Sequence, residues 1–198
     1  MKRIYVILVT ALYAVSVTYF LVMYFYRTPF DKSMGWYFHK RVLANYSDRF
    51  HKESSKEMIV VTAQPADTFN TYIFYNGMYN TKSNIVDVNK VYSSRSYIYR
   101  GTKFINSCND IGNEEMENGT VIFIEQGVYC NLDQANTAKI ANPRDGGGIY
   151  NIINESLCAS YPKNKYPYPR HIADFNVESL SKEGFCQTWI TNPDEKAR

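Results

Sequence analysis

The sequence predicts a mixed α/β domain (α+β in its layering) held behind one N-terminal transmembrane helix, and two observations lead to this prediction. No charged residue occurs between Ile4 and Tyr26, and about 20 apolar residues are enough for a helix to cross a bilayer. Two short β-branched runs, 57–62 and 85–88, lie on either side of a helical pattern that begins near Gln64. The order strand, helix, strand is that of a right-handed βαβ unit with parallel strands.

The apolar start is interpreted as a retained signal-anchor. Tyr5, Tyr24 and Tyr26 lie at its two ends, where interfacial aromatic residues are common. A cleaved signal peptide is the alternative, but the run exceeds the usual core of about 7 to 15 residues and no Ala-x-Ala site closes it. Lys2 and Arg3 favour a cytoplasmic N-terminus. We therefore expect an anchor at 1–30, a juxtamembrane helix at 31–56 and an extracytoplasmic domain at 57–198.

The juxtamembrane helix is predicted from aromatic and aliphatic residues that recur every three or four positions. They are Trp36, His39, Leu43, Tyr46 and Phe50. We interpret His39 as a packed or partly exposed side chain rather than a ligand, because no other ligand type shares its face of the helix.

The second half of the chain is typical of strands. Runs at 97–105 and 120–125 are rich in β-formers, and the runs 138–141 and 149–153 flank a Pro/Asp/Gly segment that predicts a hairpin. A closing helix is expected after Ser181, which can cap it, and is expected to end at Asn192-Pro193.

Composition and motifs exclude several classes of function. The net charge is only +3 and no Lys/Arg cluster is dense, which argues against nucleic acid as a partner. The sequence has no P-loop, no Gly-x-Ser-x-Gly elbow and no His-Glu-x-x-His. We therefore expect no catalytic residues, no cofactor and no metal, and a domain that is not an enzyme by itself.

Four cysteines lie in the soluble part and none lies in the apolar span. An even number in an exported domain predicts disulfides, and no Cys-x-x-Cys spacing suggests zinc. Three connectivities are possible, and we favour the local pairs. The cysteines are Cys108, Cys130, Cys158 and Cys186.

One loop is a candidate for contact with a ligand or partner. Asn142, Arg144 and Asp145 belong to a Gly-rich turn, where backbone amides can approach a ligand and the arginine fork can hold a phosphate or carboxylate. An ordinary hairpin tip with solvated charges has the same composition.

Several segments occur together in an order that resembles a known family. They are Ala44–Tyr46, Ile59–Thr62, Tyr72–Tyr75, Tyr99–Cys108, Ala141–Gly147, Cys158 and Leu180–Cys186. The pattern resembles the C-terminal extracytoplasmic domain of bacterial glycosyltransferase family 39 proteins, the multi-pass relatives of dolichyl-phosphate-mannose protein mannosyltransferases. In such proteins the last membrane helix leads directly into a soluble domain.

The resemblance implies an accessory domain rather than a transferase, because the family's catalytic acidic residues and its other membrane helices belong to a region that this sequence lacks. We expect a cell-membrane protein with one span, its N-terminus cytoplasmic, that acts with other integral membrane proteins in glycan or protein modification. A structural subunit of an envelope complex is the alternative.

Overall fold

The computed structural model describes residues 2–27, 38–77, 82–112, 119–132, 138–142, 147–162 and 175–192. Its first element is α1 (Lys2–Leu21), which continues into a π-helical segment (Val22–Arg27). The window Arg3–Tyr24 is long and apolar enough to cross a membrane, and none of it is buried against the rest of the protein. Length and composition alone support that assignment.

The remaining described residues form a mixed α/β fold around one sheet. Seven strands are present in this part of the chain, in the spatial order β2-β3-β1-β4-β6-β5-β7. They are β1 (Met58–Val61), β2 (Ile98–Tyr99), β3 (Thr102–Ile105), β4 (Val121–Glu125), β5 (Ala138–Ala141), β6 (Gly148–Ile153) and β7 (Ile190–Thr191). Strand β1 is parallel to both β3 and β4, and the other pairs are antiparallel.

The register places several strand ends at one edge, which we call the carboxyl edge. The parallel strands β1, β3 and β4 end there, at Val61, Ile105 and Glu125. Because Glu125 lies opposite Tyr150 and Ala141 lies opposite Gly148, β6 begins and β5 ends at the same edge.

Among the residues that the structure describes, four α-helices follow α1, and those that pack on the sheet bury their apolar stripes against one face of it. They are α2 (Phe38–Glu53), α3 (Pro65–Tyr75), α4 (Lys82–Ser94) and α5 (Lys182–Trp189). Helix α2 begins at the carboxyl edge, where His39 lies beside Tyr150. It ends at the opposite edge, where the Nε2 atom of His51 lies 2.9 Å from the Oγ1 atom of Thr102. Helix α3 runs in the same direction, from Pro65 beside β1 to Tyr72 beside Thr102.

The central strands are buried on both faces, which explains their unbroken apolar sequences. Met58 and Val60 face the helices in the main core, whereas Ile59 and Val61 join a smaller cluster on the other face. The disulfide Cys108–Cys130 belongs to that smaller cluster.

The structure corrects the predicted βαβ unit. Residues 85–88 belong to helix α4 and are not a strand. Val88, Val91 and Tyr92 contact the core with helical spacing, so a short apolar run was misassigned. The strands that lie parallel to β1 are β3 and β4, both later in the chain.

Two further boundaries differ from the prediction. The run 97–105 is a hairpin rather than one strand, because Arg100 and Gly101 adopt positive φ values of 47° and 77° and reverse the chain. The last helix ends at Trp189 rather than at Asn192, since Ile190 and Thr191 pair with β5.

Other predictions agree with the structure. The hairpin of β5 and β6 is present, and the Ser181 hydroxyl caps α5 by accepting a hydrogen bond from the Gly184 amide. His39, Leu43, Tyr46 and Phe50 are all buried on α2. Trp36 lies outside the described residues.

Candidate functional site at the carboxyl edge

Polar side chains from four elements meet at the carboxyl edge, where open α/β sheets commonly bind their ligands. We call this group the edge cluster. Its members are His39 and Lys40 of α2, Asp67 of α3, Glu125 of β4 and Tyr150 of β6.

The first turns of α2 and α3 are joined by an ion pair. The ammonium group of Lys40 donates to a carboxylate oxygen of Asp67. The Lys40 side chain is only 5% exposed, whereas that of Asp67 is 41% exposed. A buried ammonium needs such a partner, because an uncompensated charge in a protein interior is strongly destabilising. This pair therefore fixes the two helix starts relative to each other.

Glu125 is held at the end of β4 by groups that follow β1. Its carboxylate accepts hydrogen bonds from the hydroxyl of Thr62 and from the Ala63 amide, the latter at 3.1 Å. The hydroxyls of Thr62 and Thr68 are 3.1 Å apart. The Glu125 residue as a whole is half-buried.

Three buried polar atoms at this edge have no hydrogen-bond partner among the described residues. They are His39 Nδ1, Tyr150 Oη and Trp189 Nε1. The rings of His39 and Tyr150 have centroids 5.9 Å apart, and His39 and Trp189 line the same narrow crevice against β5 and β6. Buried polar groups are nearly always paired, so each of these unpaired groups calls for a specific explanation.

Both titratable rings of the edge cluster are neutral at pH 7. Burial, followed by the positive charge of Lys40, lowers the pKa of His39 to about 4, against an opposing effect of Asp67. Burial raises the pKa of the Tyr150 hydroxyl well above its ordinary value, and Glu125 and Asp67 add to the shift. A general base is most effective when its pKa lies near the working pH. The edge cluster is therefore better suited to hydrogen bonding than to proton transfer.

The candidate loop starts and ends at this same edge. The Asn142 amide donates to the Gly147 carbonyl at 2.7 Å, directly after the last β5–β6 pair. Arg144 and Asp145 lie outside the described residues, so their predicted contact role stays a prediction. The register brings the base of this loop to the edge where Glu125 and Tyr150 lie.

The four cysteines form Cys108–Cys130 and Cys158–Cys186, with Cα–Cα distances of 5.5 and 5.4 Å. These are the favoured local pairs. The second ties the segment after β6 to α5. Within the described ranges no group of three or more His, Cys, Asp or Glu side chains is placed to hold a metal ion.

Sequence reasoning placed His39 on the apolar stripe of α2 but missed its partners. Asp67, Glu125, Tyr150 and Trp189 are far from His39 in the chain and approach it only through strand pairing and helix packing. One indication was available: Thr62 and Glu125 are polar residues directly after buried apolar runs, which is where a parallel sheet presents its ligand-binding groups.

No protein-family model, curated protein or solved structure matches the chain. The resemblance to the tail of glycosyltransferase family 39 therefore stays a prediction, and the assignment of function depends on the geometry of the carboxyl edge.

Proposed function

We propose that this chain is a single-pass membrane-anchored extracytoplasmic binding domain, which serves multi-pass partners in the cell envelope and is not catalytic alone. The observation that supports this most directly is the set of three unpartnered buried polar atoms at the carboxyl edge, beside the half-buried residue Glu125. A ligand or partner that supplies their hydrogen bonds would remove a desolvation cost that the isolated domain bears.

The membrane anchor in this proposal is helix α1. Its 22-residue apolar window is about 33 Å long at 1.5 Å per residue, close to the roughly 30 Å of a bilayer core. Its large side chains, such as Leu12 and Tyr13, are about 70% exposed. Lipid or the helices of other membrane proteins would cover this surface.

The extracytoplasmic side is proposed from the disulfides. All four cysteines are paired, and such pairs persist in oxidising compartments rather than in the cytosol. The short charged end, with Lys2 and Arg3, would then face the cytoplasm.

An accessory role fits the chemistry of the edge cluster better than catalysis does. His39, with a pKa of about 4, is a weak base, and every cysteine is in a disulfide. The resemblance to the soluble tail of lipid-linked-sugar glycosyltransferases supports a role beside such an enzyme. In this proposal the loop with Asn142, Arg144 and Asp145 contacts the acceptor or the partner.

Gentle detergent extraction of the tagged chain from its native membrane, with mass spectrometry of what co-purifies, tests the proposal. A stoichiometric multi-pass glycosyltransferase is the expected companion, and Arg144→Ala should weaken its recovery. Unchanged recovery with Arg144→Ala would remove that loop from the proposal. A set of other envelope proteins, with no transferase among them, would favour assembly as the function.

The alternative, a structural subunit, is favoured by the surface of α1. Ala11, Ala14, Ser16 and Thr18 are small, and such residues let membrane helices approach closely. The Thr18 hydroxyl already donates to the Ala14 carbonyl at 2.8 Å. The hydroxyl would therefore keep a hydrogen-bond partner if a neighbouring helix covered Thr18. Crosslinking that finds only monomers in native membranes would contradict this alternative.

A further inference from the structure

A second concave site lies on the outer side of α2, away from the edge cluster. It is a cleft of about 570 Å³ between α2, the end of α3 and the segment before α5. This volume falls in the range of small-molecule sites. Four basic and three acidic side chains line it, so its formal net charge is +1. They are Arg41, Arg49, Lys52, Lys182, Asp48, Glu53 and Glu178.

Three ion pairs account for all of the acidic residues. Arg41 holds Glu178 with two parallel hydrogen bonds, one of them 2.8 Å long from Nε to Oε1. Lys52 pairs with Asp48 at 2.6 Å, and Lys182 pairs with Glu53 at 2.5 Å. Among the described residues that line the cleft, the cation left without a carboxylate partner is Arg49.

Arg49 is held in place by neutral groups. Its Nε donates to Asn45 Oδ1 at 2.7 Å, its Nη2 donates to the Leu180 carbonyl at 2.7 Å, and its guanidinium lies 5.1 Å from the Phe185 ring centroid. Nη1 makes no hydrogen bond to a described residue, and it is not one of the buried unpartnered atoms. The guanidinium is thus fixed in orientation while one of its nitrogens stays open to solvent in the cleft.

The surroundings leave the charge of Arg49 incompletely compensated. Burial lowers the pKa of its guanidinium, although Asp48, Glu178 and Glu53 act in the opposite direction. An anionic oxygen group in the cleft would supply this partner. Charge-assisted hydrogen bonds from arginine are stronger than hydrogen bonds between neutral groups. The three carboxylates and the net charge of +1 disfavour a polyanion.

We propose that this cleft binds a monoanionic ligand that also carries hydroxyl groups, with its acidic group on Arg49 and its hydroxyls donating to the neighbouring carboxylates. The site is independent of the edge cluster. The acidic group can be a carboxylate or a phosphate, since both offer the oxygen pair that the guanidinium fork accepts.

The test is saturation-transfer NMR on the full chain in nanodiscs, with glucuronate, the phosphodiester glycerophosphoglycerol and neutral glucose as probes. We expect saturable binding of one or both anions and none of glucose. The anion that binds more tightly distinguishes a carboxylate site from a phosphate site. Arg49→Gln should weaken this binding about tenfold, which corresponds to about 1.4 kcal/mol.

Two further variants make the result decisive. Arg49 also holds the segment before α5, so a loss of binding in Arg49→Gln does not separate a lost ligand contact from a local change of structure. Lys52→Glu separates the two, because the Lys52 side chain is 70% exposed. It changes the cleft charge from +1 to −1 and should weaken anion binding several-fold without unfolding the chain. Arg95→Gln, an exposed arginine beyond the cleft, is the matched control and should bind as the wild type does. No saturable binding of either anion, or wild-type affinity in Lys52→Glu, would overturn the proposal.

Discussion

His39 and Tyr150 face each other at the carboxyl edge with ring centroids 5.9 Å apart, yet neither Nδ1 of the histidine nor the tyrosine hydroxyl has a hydrogen-bond partner among the described residues. Tyr150 is fully buried and His39 is 5% exposed. The domain therefore retains two desolvated polar groups side by side, which is costly for stability and is explained if a ligand or partner binds there.

Replacing Tyr150 by Phe should leave the isolated chain as stable or make it more stable, by up to about 1 kcal/mol, because an unpaired buried hydroxyl is removed. Chemical denaturation in detergent micelles measures this. The same variant should lose partner or ligand binding. A destabilisation of more than about 1 kcal/mol would mean that the hydroxyl is paired in the free protein.

Asp67→Asn should destabilise the chain by about 2 kcal/mol, because it removes the negative charge with which the buried ammonium of Lys40 pairs at this edge. Asp48→Asn is the matched control. It breaks the exposed pair with Lys52 and should cost less than about 0.5 kcal/mol. If both variants lower the free energy of unfolding equally in the same denaturation experiment, the burial of Lys40 does not make its pair with Asp67 more important than an exposed pair.

The stability of the chain should fall as the pH drops from 6.5 towards 4. Above pH 6.5 His39 is neutral in the folded and unfolded chains. Its folded pKa of about 4 lies below the ordinary value of 6.5, so in this window the unfolded chain binds a proton that the folded chain does not. The loss attributable to His39 approaches about 3 kcal/mol below pH 4.

His39→Gln should flatten this part of the profile of unfolding free energy against pH. Lys40 acts on His39 in the same direction as burial and Asp67 opposes it, so Asp67→Asn should lower this pKa further and extend the loss of stability to lower pH. An unchanged slope in His39→Gln would assign the acid sensitivity to other groups.

The disulfides predict a labelling result for the chain in its native cells. When the cells are quenched with acid and then denatured, a maleimide reagent of high mass should not modify the chain before reduction and should add up to four labels after it, because all four cysteines are paired. Labelling before reduction would place the domain in a reducing compartment and contradict the proposed orientation.

Local patterns predicted the parts of this fold that local chemistry determines. The β-branched runs at β1 and β4, the Gly-rich hairpin and the Ser181 cap all depend on residues close in sequence. The run 85–88 was misassigned because four residues, three of them apolar, fit a strand or a buried helix equally well. Burial of Val88 with Val91 and Tyr92 decided in favour of the helix.

The periodicity of the sequence did not predict the edge cluster. Glu125 and Tyr150 become neighbours because β4 pairs with β6, and Asp67 reaches Lys40 because two helices start at the same edge. These contacts are set by long-range strand order, which no local pattern encodes.

Site-specific photocrosslinking tests the central claim, that the carboxyl edge is the binding surface, most directly. A photoreactive residue would replace Asn142 at this edge or, in a second variant, the exposed Lys56, which precedes β1 at the opposite edge. The account predicts a discrete crosslink to one membrane partner from position 142, weakened by Tyr150→Phe, and none from position 56. Crosslinks of equal yield from both positions, or from position 56 alone, would contradict it.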